Sequence, residues 1–141
     1  MGNGMGQTFS GDCSCGAVRY KADAEPVTML NCHCRDCQRA SGSAFAAIVV
    51  VPKSAVQIEG ELRWHGVIGE SGRRVERGFC PTCGSPIAIK LEAIPHILGL
   101  QAGSLVDPSV HRPTSDLFTT SAQPWDHLGS DTEKFPRGRI R

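Results

Sequence analysis

Short apolar stretches, separated by glycine, proline and polar turns, run along most of the chain, and this pattern predicts β-strands. The clearest strand is Ser43–Val51, which is rich in isoleucine and valine. Further strands are predicted at Thr8–Ser10, Ala17–Ala22, Val27–Cys32, Val75–Phe79, Pro86–Leu91, Ile97–Gly103 and Leu117–Thr119. A single short helix, Arg35–Ala40, is predicted to end at Ser41 and Gly42.

The segments Ala55–Glu59 and Leu62–Gly66 are predicted to form a β-hairpin across Gly60 and Glu61. Because the strands are short and no long amphipathic helix separates them, the pattern favours a mainly β, mostly antiparallel fold. The 141 residues suit one domain. We expect a flexible N-terminus at 1–7, the folded domain at 8–130 and a basic C-terminal tail at 131–141.

Composition and charge exclude several classes of protein. The net charge of +1 is not that of a nucleic-acid-binding domain. The longest apolar run, Ala44–Val51, is too short to cross a bilayer, so no membrane association is expected. The first seven residues carry neither a cationic start nor an apolar segment, so we expect no signal peptide and a cytoplasmic protein. Clustered cysteines in a reducing compartment are more often metal ligands or catalytic groups than disulfides.

The seven cysteines form three groups, of which Cys80-Pro-Thr-Cys83 is the most specific. Pro81 presets the backbone, and Gly84 lets it turn so that amides face the sulfurs, as in a zinc knuckle. Two more thiolates are needed for a tetrahedral site, and Cys13 and Cys15 supply them. The sequence therefore predicts a structural zinc on Cys13, Cys15, Cys80 and Cys83. Disulfides or free thiols are the alternative.

The central group, Cys32, Cys34 and Cys37, predicts a second zinc site of a different kind. On an extended segment Cys32 and Cys34 share one face, His33 points to the other, and Cys37 returns one helical turn later. His33 is therefore expected to be a packed group rather than a ligand. Three protein ligands with the fourth place open are typical of catalytic zinc. The alternative is that a distant Asp or His fills the fourth place.

The chemistry of such a site follows from its charge. Three thiolates leave the zinc unit at −1, which makes it a poor activator of water but a good partner for another thiolate. A fourth thiolate requires compensating charge, and Arg35 and Arg39 flank the group. The alternative for these two arginines is a solvated helix face with ordinary ion pairs.

Three motifs resemble the glutathione-dependent formaldehyde-activating enzyme family, which includes the centromere protein V type. They are Gly11-x-Cys-x-Cys-Gly-Ala-Val-Arg-Tyr20, Cys32-His-Cys-Arg-Asp-Cys-Gln-Arg39 followed by Ser41-Gly-Ser-Ala-Phe45, and Phe79-Cys-Pro-Thr-Cys-Gly-Ser-Pro86. The resemblance covers about residues 8–128. It implies an Mss4-like fold of antiparallel β-sheets pinned by zinc, with a structural zinc on Cys13, Cys15, Cys80 and Cys83. It also implies a second zinc at Cys32, Cys34 and Cys37, where the chemistry takes place.

The activity implied by the resemblance is condensation of formaldehyde with glutathione to S-hydroxymethylglutathione, classed as a carbon–sulfur lyase. We therefore expect an enzyme with two zinc ions per chain that acts on a small thiol such as glutathione and on an aldehyde. Cys32, Cys34, Cys37, Arg35 and Arg39 are its candidate catalytic residues. Two alternatives remain: a non-catalytic zinc scaffold that binds a partner, and a redox protein that uses the thiols of Cys32–Cys37.

Overall fold

The computed structural model describes residues 8–138, which contain eleven short strands and one α-helix. The helix α1 spans Arg35–Ser41. In chain order the strands are β1 Thr8–Asp12, β2 Arg19–Asp23, β3 Thr28–Cys32, β4 Ala46–Pro52, β5 Val56–Glu59, β6 Arg63–Ile68, β7 Arg74–Phe79, β8 Pro86–Leu91, β9 Ile97–Gln101, β10 Ser115–Leu117 and β11 Glu133–Lys134. The predicted flexible N-terminus at 1–7 and the last three residues of the predicted tail lie outside the described residues.

The strands of this described part form two sheets, in the orders β1-β2-β5 and β11-β10-β3-β4-β9-β8-β7-β6. Most neighbours are antiparallel, whereas β10 pairs in parallel with both β3 and β11. The prediction of a mainly β, mostly antiparallel fold with one short helix is confirmed. The last strand, β11, falls within the segment predicted as a basic tail. In the same described residues, no helix has the length and apolar character needed to cross a membrane.

The predicted hairpin between Ala55–Glu59 and Leu62–Gly66 is wrong. Strand β5 pairs with β2 in the small sheet, and β6 pairs with β7 in the large one. The chain changes sheets at Gly60, whose φ is 92° and whose added Cβ would lie 2.2 Å from the carbonyl oxygen of Ala17. Only glycine fits such a close approach in the left-handed region, and the same residue also favours a turn.

The predicted strand Leu117–Thr119 is displaced in the structure, because β10 spans Ser115–Leu117 and ends where the predicted strand begins. Phe118 has a φ of 57°, a conformation that is strained for a bulky residue, and a 3-10 turn follows at Thr119–Ser121. The reversal lets the backbone N–H of His33 donate to the carbonyl of Leu117 at 2.9 Å. The end of β10 is therefore held against the segment that carries the central cysteines.

The two faces of the large sheet pack differently. Val49 and Leu100 lie in the core between the sheets, together with Tyr20 from the small sheet. Successive residues of a strand point to opposite faces, so Ile48 and Ile89 belong to a second cluster on the other face. Cys13 and Cys80 are part of the first core, whereas Cys32 and Cys37 are part of the second. The two cysteine sites thus belong to different cores.

Candidate metal centres

The four-cysteine cluster, formed by Cys13, Cys15, Cys80 and Cys83, lies where two tight turns meet. All four Sγ atoms are within 4.8 Å of one another. Cys13 and Cys80 are buried, whereas Cys15 and Cys83 are exposed. The predicted pairing of the N-terminal turn with the knuckle at Cys80–Cys83 is therefore what the fold produces. A metal on these residues would connect β1 to the loop after β7.

Each of the two turns places backbone N–H groups against sulfur. The N–H of Val18 donates to Cys13 Sγ at 3.2 Å, and that of Thr82 donates to Cys80 Sγ at 3.4 Å. Gly16 and Gly84 each have a φ of +81°, which lets the chain reverse directly after the second cysteine of each pair. Amide donors of this kind stabilise thiolates, so both turns are built to present sulfur as a ligand.

The distances between sulfur atoms fit metal binding better than disulfide formation. Cys15 Sγ lies 3.6 Å from Cys13 Sγ and 3.7 Å from Cys80 Sγ. A disulfide needs about 2.05 Å. Four sulfurs at about 2.3 Å from a tetrahedral metal ion lie about 3.8 Å apart. The four-cysteine cluster therefore has the donors and the spacing for a closed tetrahedral site.

The three-cysteine cluster, formed by Cys32, Cys34 and Cys37, lies at the junction of β3 and α1. Cys32 is the last residue of β3, Cys34 is the N-cap of α1, and Cys37 is in the first turn of the helix. The N–H of Cys37 donates to Cys34 Sγ at 3.3 Å, and the three Sγ atoms lie within 4.8 Å of one another. The predicted convergence of these side chains on one point is what the fold produces. Cys32 and Cys37 are buried, and Cys34 is partly accessible.

The pKa values of the three thiols are driven apart by their proximity. Hydrogen bonds from Cys32 and Cys37, with the N–H of Cys37 and the charge of Arg77, lower the pKa of Cys34 to about 2, although burial opposes the shift. The same interactions with Cys34 and Cys37, together with burial, raise the pKa of Cys32 well above its usual value. The pKa of Cys37 is raised to about 11: its hydrogen bond with Cys32 acts to lower it, but the one with Cys34 and burial outweigh that effect. These shifts favour a thiolate at Cys34 and protonated thiols at Cys32 and Cys37 in the metal-free cluster.

His33, between two of these cysteines, points away from them. Its ring is buried, with Nε2 2.7 Å from Asp116 Oδ1 and Nδ1 2.9 Å from Asp126 Oδ2. Burial acts to raise the pKa of Asp116, but hydrogen bonds from His33 and Thr132 lower it. The ring therefore ties the cysteine-bearing segment to β10 and to the loop at Asp126. As predicted from the alternation of side chains, His33 is packed on the face opposite to the sulfurs.

The amide of Gln38 makes a second connection behind the cluster. Its Nε2 donates to the carbonyl of His33 at 2.7 Å and to that of Ser121 at 3.0 Å, and its Oε1 accepts from Gln123 at 3.1 Å. The guanidinium of Arg35 also donates to this oxygen. Arg35 is exposed, as is Arg39 in the last turn of α1. The role of these two arginines in charge balance stays a prediction.

One residue of the site was absent from the sequence-based prediction. Arg77, on β7, donates from Nη2 to Cys37 Sγ at 3.4 Å. Desolvation acts to lower the pKa of Arg77, but electrostatic attraction to Cys37, the hydrogen bond with its sulfur, and the charges of Cys34 and Asp36 raise it. The sequence offered no signal for this contact, since Arg77 looks like any polar residue of an edge hairpin. A guanidinium is thus in direct contact with the three-cysteine cluster.

The two clusters also differ in their surroundings. Within residues 8–138, no fourth Cys, His, Asp or Glu atom joins Cys32, Cys34 and Cys37. An open cavity of about 550 Å³ lies beside the other cluster, with Cys13, Ser14 and Ser85 among its lining residues, and none of the three central cysteines lines it. The three-cysteine cluster is therefore an incomplete ligand set, whereas the four-cysteine cluster is complete.

Comparisons with known proteins agree with this geometry. A family model described as glutathione-dependent formaldehyde-activating enzyme matches residues 8–121. A crystal structure of a Rhodobacter sphaeroides protein has a similar fold, with a TM-score of 0.56 and 24% sequence identity, over 72% of this chain and 93% of that chain. At this identity the likeness shows the fold alone. No curated protein matches the chain significantly. The matched range includes both cysteine clusters and Asp116, one of the two carboxylates that hold His33.

Proposed function

Since the chain belongs to the glutathione-dependent formaldehyde-activating enzyme family, we propose that it joins a small thiol to an aldehyde at a zinc ion held by Cys32, Cys34 and Cys37. The observation that carries this proposal is the incomplete ligand set of the three-cysteine cluster. The proposal also includes a second, structural zinc on the four-cysteine cluster and a cytoplasmic location. Glutathione and formaldehyde are the proposed substrates, because the family is named for them.

When bound, a zinc ion on three thiolates supplies a soft Lewis acid that stabilises an added thiol as its thiolate. The chain's own residues do not fully cover the three-cysteine cluster: Cys34 is partly accessible, and the ring of His33 is held away by Asp116 and Asp126. His33 cannot swing in to close the site while both of its ring nitrogens face buried carboxylates. The fourth position thus stays available to a substrate.

The proposed reaction is an addition without oxidation or reduction. The sulfur lone pair attacks the aldehyde carbon, the π pair of the carbonyl moves to oxygen, and that oxygen takes up the proton that the thiol released. A new carbon–sulfur bond forms, and its cleavage in the reverse direction is a carbon–sulfur lyase reaction. Arg35 and Arg39 remain proposed contributors to charge balance, from exposed positions on α1 where solvent screens their effect.

The test is turnover of a panel of thiol–aldehyde pairs by the zinc-loaded protein, with the adduct followed by NMR. Cys34→Ser is expected to lower the rate by more than about 100-fold, because loss of a ligand should exceed the 10- to 100-fold typical of outer partners. The variant should keep the metal of the four-cysteine cluster, which metal analysis checks. Unchanged turnover in Cys34→Ser would overturn the proposal, as would absence of turnover for every pair with the wild-type protein.

A further inference from the structure

The charge of Arg77 interacts mainly with the sulfurs of Cys37 and Cys34, and more weakly with the carboxylate of Asp36. In residues 8–138, no Asp or Glu oxygen lies within 4.0 Å of the guanidinium of Arg77, although Arg74 on the same strand has Glu76 at 3.7 Å. Among the described residues, the buried Nε of Arg77 has no hydrogen-bond partner. Its Nη2 donates to Cys37 Sγ at 3.4 Å. A partly buried cation requires a counter-charge, so the sulfurs of the cluster are its partner.

The sheet directs Arg77 toward this cluster. In the register of β7 and β8, Arg77 lies opposite Ile89, and paired residues point to the same face. Ile89 belongs to the apolar cluster that contains Cys32 and Cys37. The guanidinium thus reaches the sulfurs along an apolar surface, where water screens its charge less than it screens the exposed Arg35.

We propose that Arg77 is the specificity-determining residue that allows the three-cysteine cluster to accept an anionic fourth ligand. This inference rests on the proposed function. The charges of three thiolates, a divalent zinc ion and the guanidinium of Arg77 in contact with them sum to zero, and Asp36 attracts Arg77 less than the sulfurs do. A substrate thiolate then joins a neutral unit and leaves it at −1, instead of approaching a negative unit and leaving it at −2. A neutral ligand gains nothing from this charge, so Arg77 favours thiolates over neutral donors.

The experiment replaces zinc with cobalt(II), whose visible absorption reports ligands that join the metal. The cobalt-loaded protein is titrated with 2-mercaptoethanol, which binds as a thiolate, and with imidazole, which binds as a neutral donor. Arg77→Gln keeps an amide donor but removes the charge, and Arg77→Lys keeps the charge. Arg74→Gln removes a charge from the same strand away from the cluster and is the matched control.

In Arg77→Gln the dissociation constant of the thiol should rise about 10- to 100-fold, the size expected when a hydrogen-bonded charge is lost. That of imidazole should change less than about threefold. Arg77→Lys should recover most of the thiol affinity, and Arg74→Gln should match the wild type. Thermal unfolding and metal analysis establish that each variant is folded and holds two metal ions.

Three outcomes overturn the inference. Equal thiol affinity in Arg77→Gln and the wild type would show that its charge does not act on the fourth ligand. Equal losses for thiol and imidazole would show a structural effect, as would failure of both Arg77 variants to hold the metal. In all three cases the wild type still binds thiol, and the proposed function stands. Failure of the wild-type protein to bind any thiol would overturn both proposals.

Discussion

The two cysteine clusters present the same donor atom in different arrangements. The four-cysteine cluster draws two thiols from each of two turns that are far apart in the chain, and it contains a complete tetrahedral set. The three-cysteine cluster draws all its thiols from one strand–helix junction, and a guanidinium lies against it. The difference teaches that sulfur donors alone do not define a site. The number of sulfurs and the neighbouring charge distinguish the two clusters.

The largest expected effect is on the free energy of unfolding. It should differ between the two clusters, because a metal on each one would close a loop of different length. Cys15 and Cys80 are 65 positions apart, whereas the central three lie within one short segment. By loop-closure entropy, Cys80→Ser should cost about 4 kcal/mol of unfolding free energy and Cys34→Ser about 2 kcal/mol. Urea unfolding of the metal-loaded proteins measures both. Equal losses would mean that the two sites contribute alike to the fold.

The next largest effect on the free energy of unfolding is expected at His33, whose ring contacts Asp116 and Asp126 behind the three-cysteine cluster. His33→Asn leaves the buried carboxylates of Asp116 and Asp126 without the imidazole between them, and this should cost about 3 kcal/mol. His111→Asn is the control and should cost about 1 kcal/mol, because within residues 8–138 the ring of His111 makes one hydrogen bond, with Oδ1 of Asn31 at 3.0 Å. Urea unfolding measures both variants. A similar cost for the two would show that the double contact of His33 adds little.

A further prediction concerns the number of protons that the three-cysteine cluster releases when it binds a metal. Since the pKa of Cys34 is lowered to about 2 while those of Cys32 and Cys37 are raised, the latter to about 11, two thiols still carry protons at neutral pH. Metal binding needs three thiolates, so about two protons should leave, and the affinity should rise about 100-fold per pH unit between these limits. Calorimetry in buffers of different ionisation enthalpy measures the number of protons released. Release of three protons would contradict the ionised state of Cys34.

The smallest effect concerns the turns of the four-cysteine cluster. Gly84 has a φ of +81° with open space around it, so Gly84→Ala meets no clash but pays the strain of the left-handed region, about 1 kcal/mol. Gly103 is equally open and lacks a positive φ, which makes Gly103→Ala the matched control, expected near zero. Thermal unfolding compares the two. Equal stabilities would mean that the knuckle does not depend on its glycine.

The composition of both cysteine clusters could be predicted from the sequence, because each pair or triad depends on local geometry and a tetrahedral site requires that the two distant pairs join. Cys34 and Cys37 are joined by one helical turn, and the turn at Cys80–Cys83 is encoded by its own proline and glycine. The pairing of β5 could not be predicted, because the glycine that favours a hairpin at Gly60 also permits a crossover between sheets. The local sequence pattern indicates that a strand exists, whereas its pairing partner depends on tertiary packing.

The partners of the central site escaped prediction for a related reason. Arg77 meets Cys37 across 40 positions of sequence, and Asp116 meets His33 across 83. No periodicity connects such residues, since the sheet order alone brings them together. Arg35 and Arg39 were the natural candidates for charge balance because they are neighbours in sequence. The structure adds a candidate that is a neighbour only in space.

The compactness of the three-cysteine cluster along the chain bears on the order of assembly. As the polypeptide leaves the ribosome, Cys32, Cys34 and Cys37 emerge together and can meet a metal ion at once. The four-cysteine cluster has to wait until Cys80 and Cys83 have been made and the chain between the turns has folded back. The site proposed for chemistry is thus the first that metal can reach during synthesis, and the site that fastens the fold is the last to close.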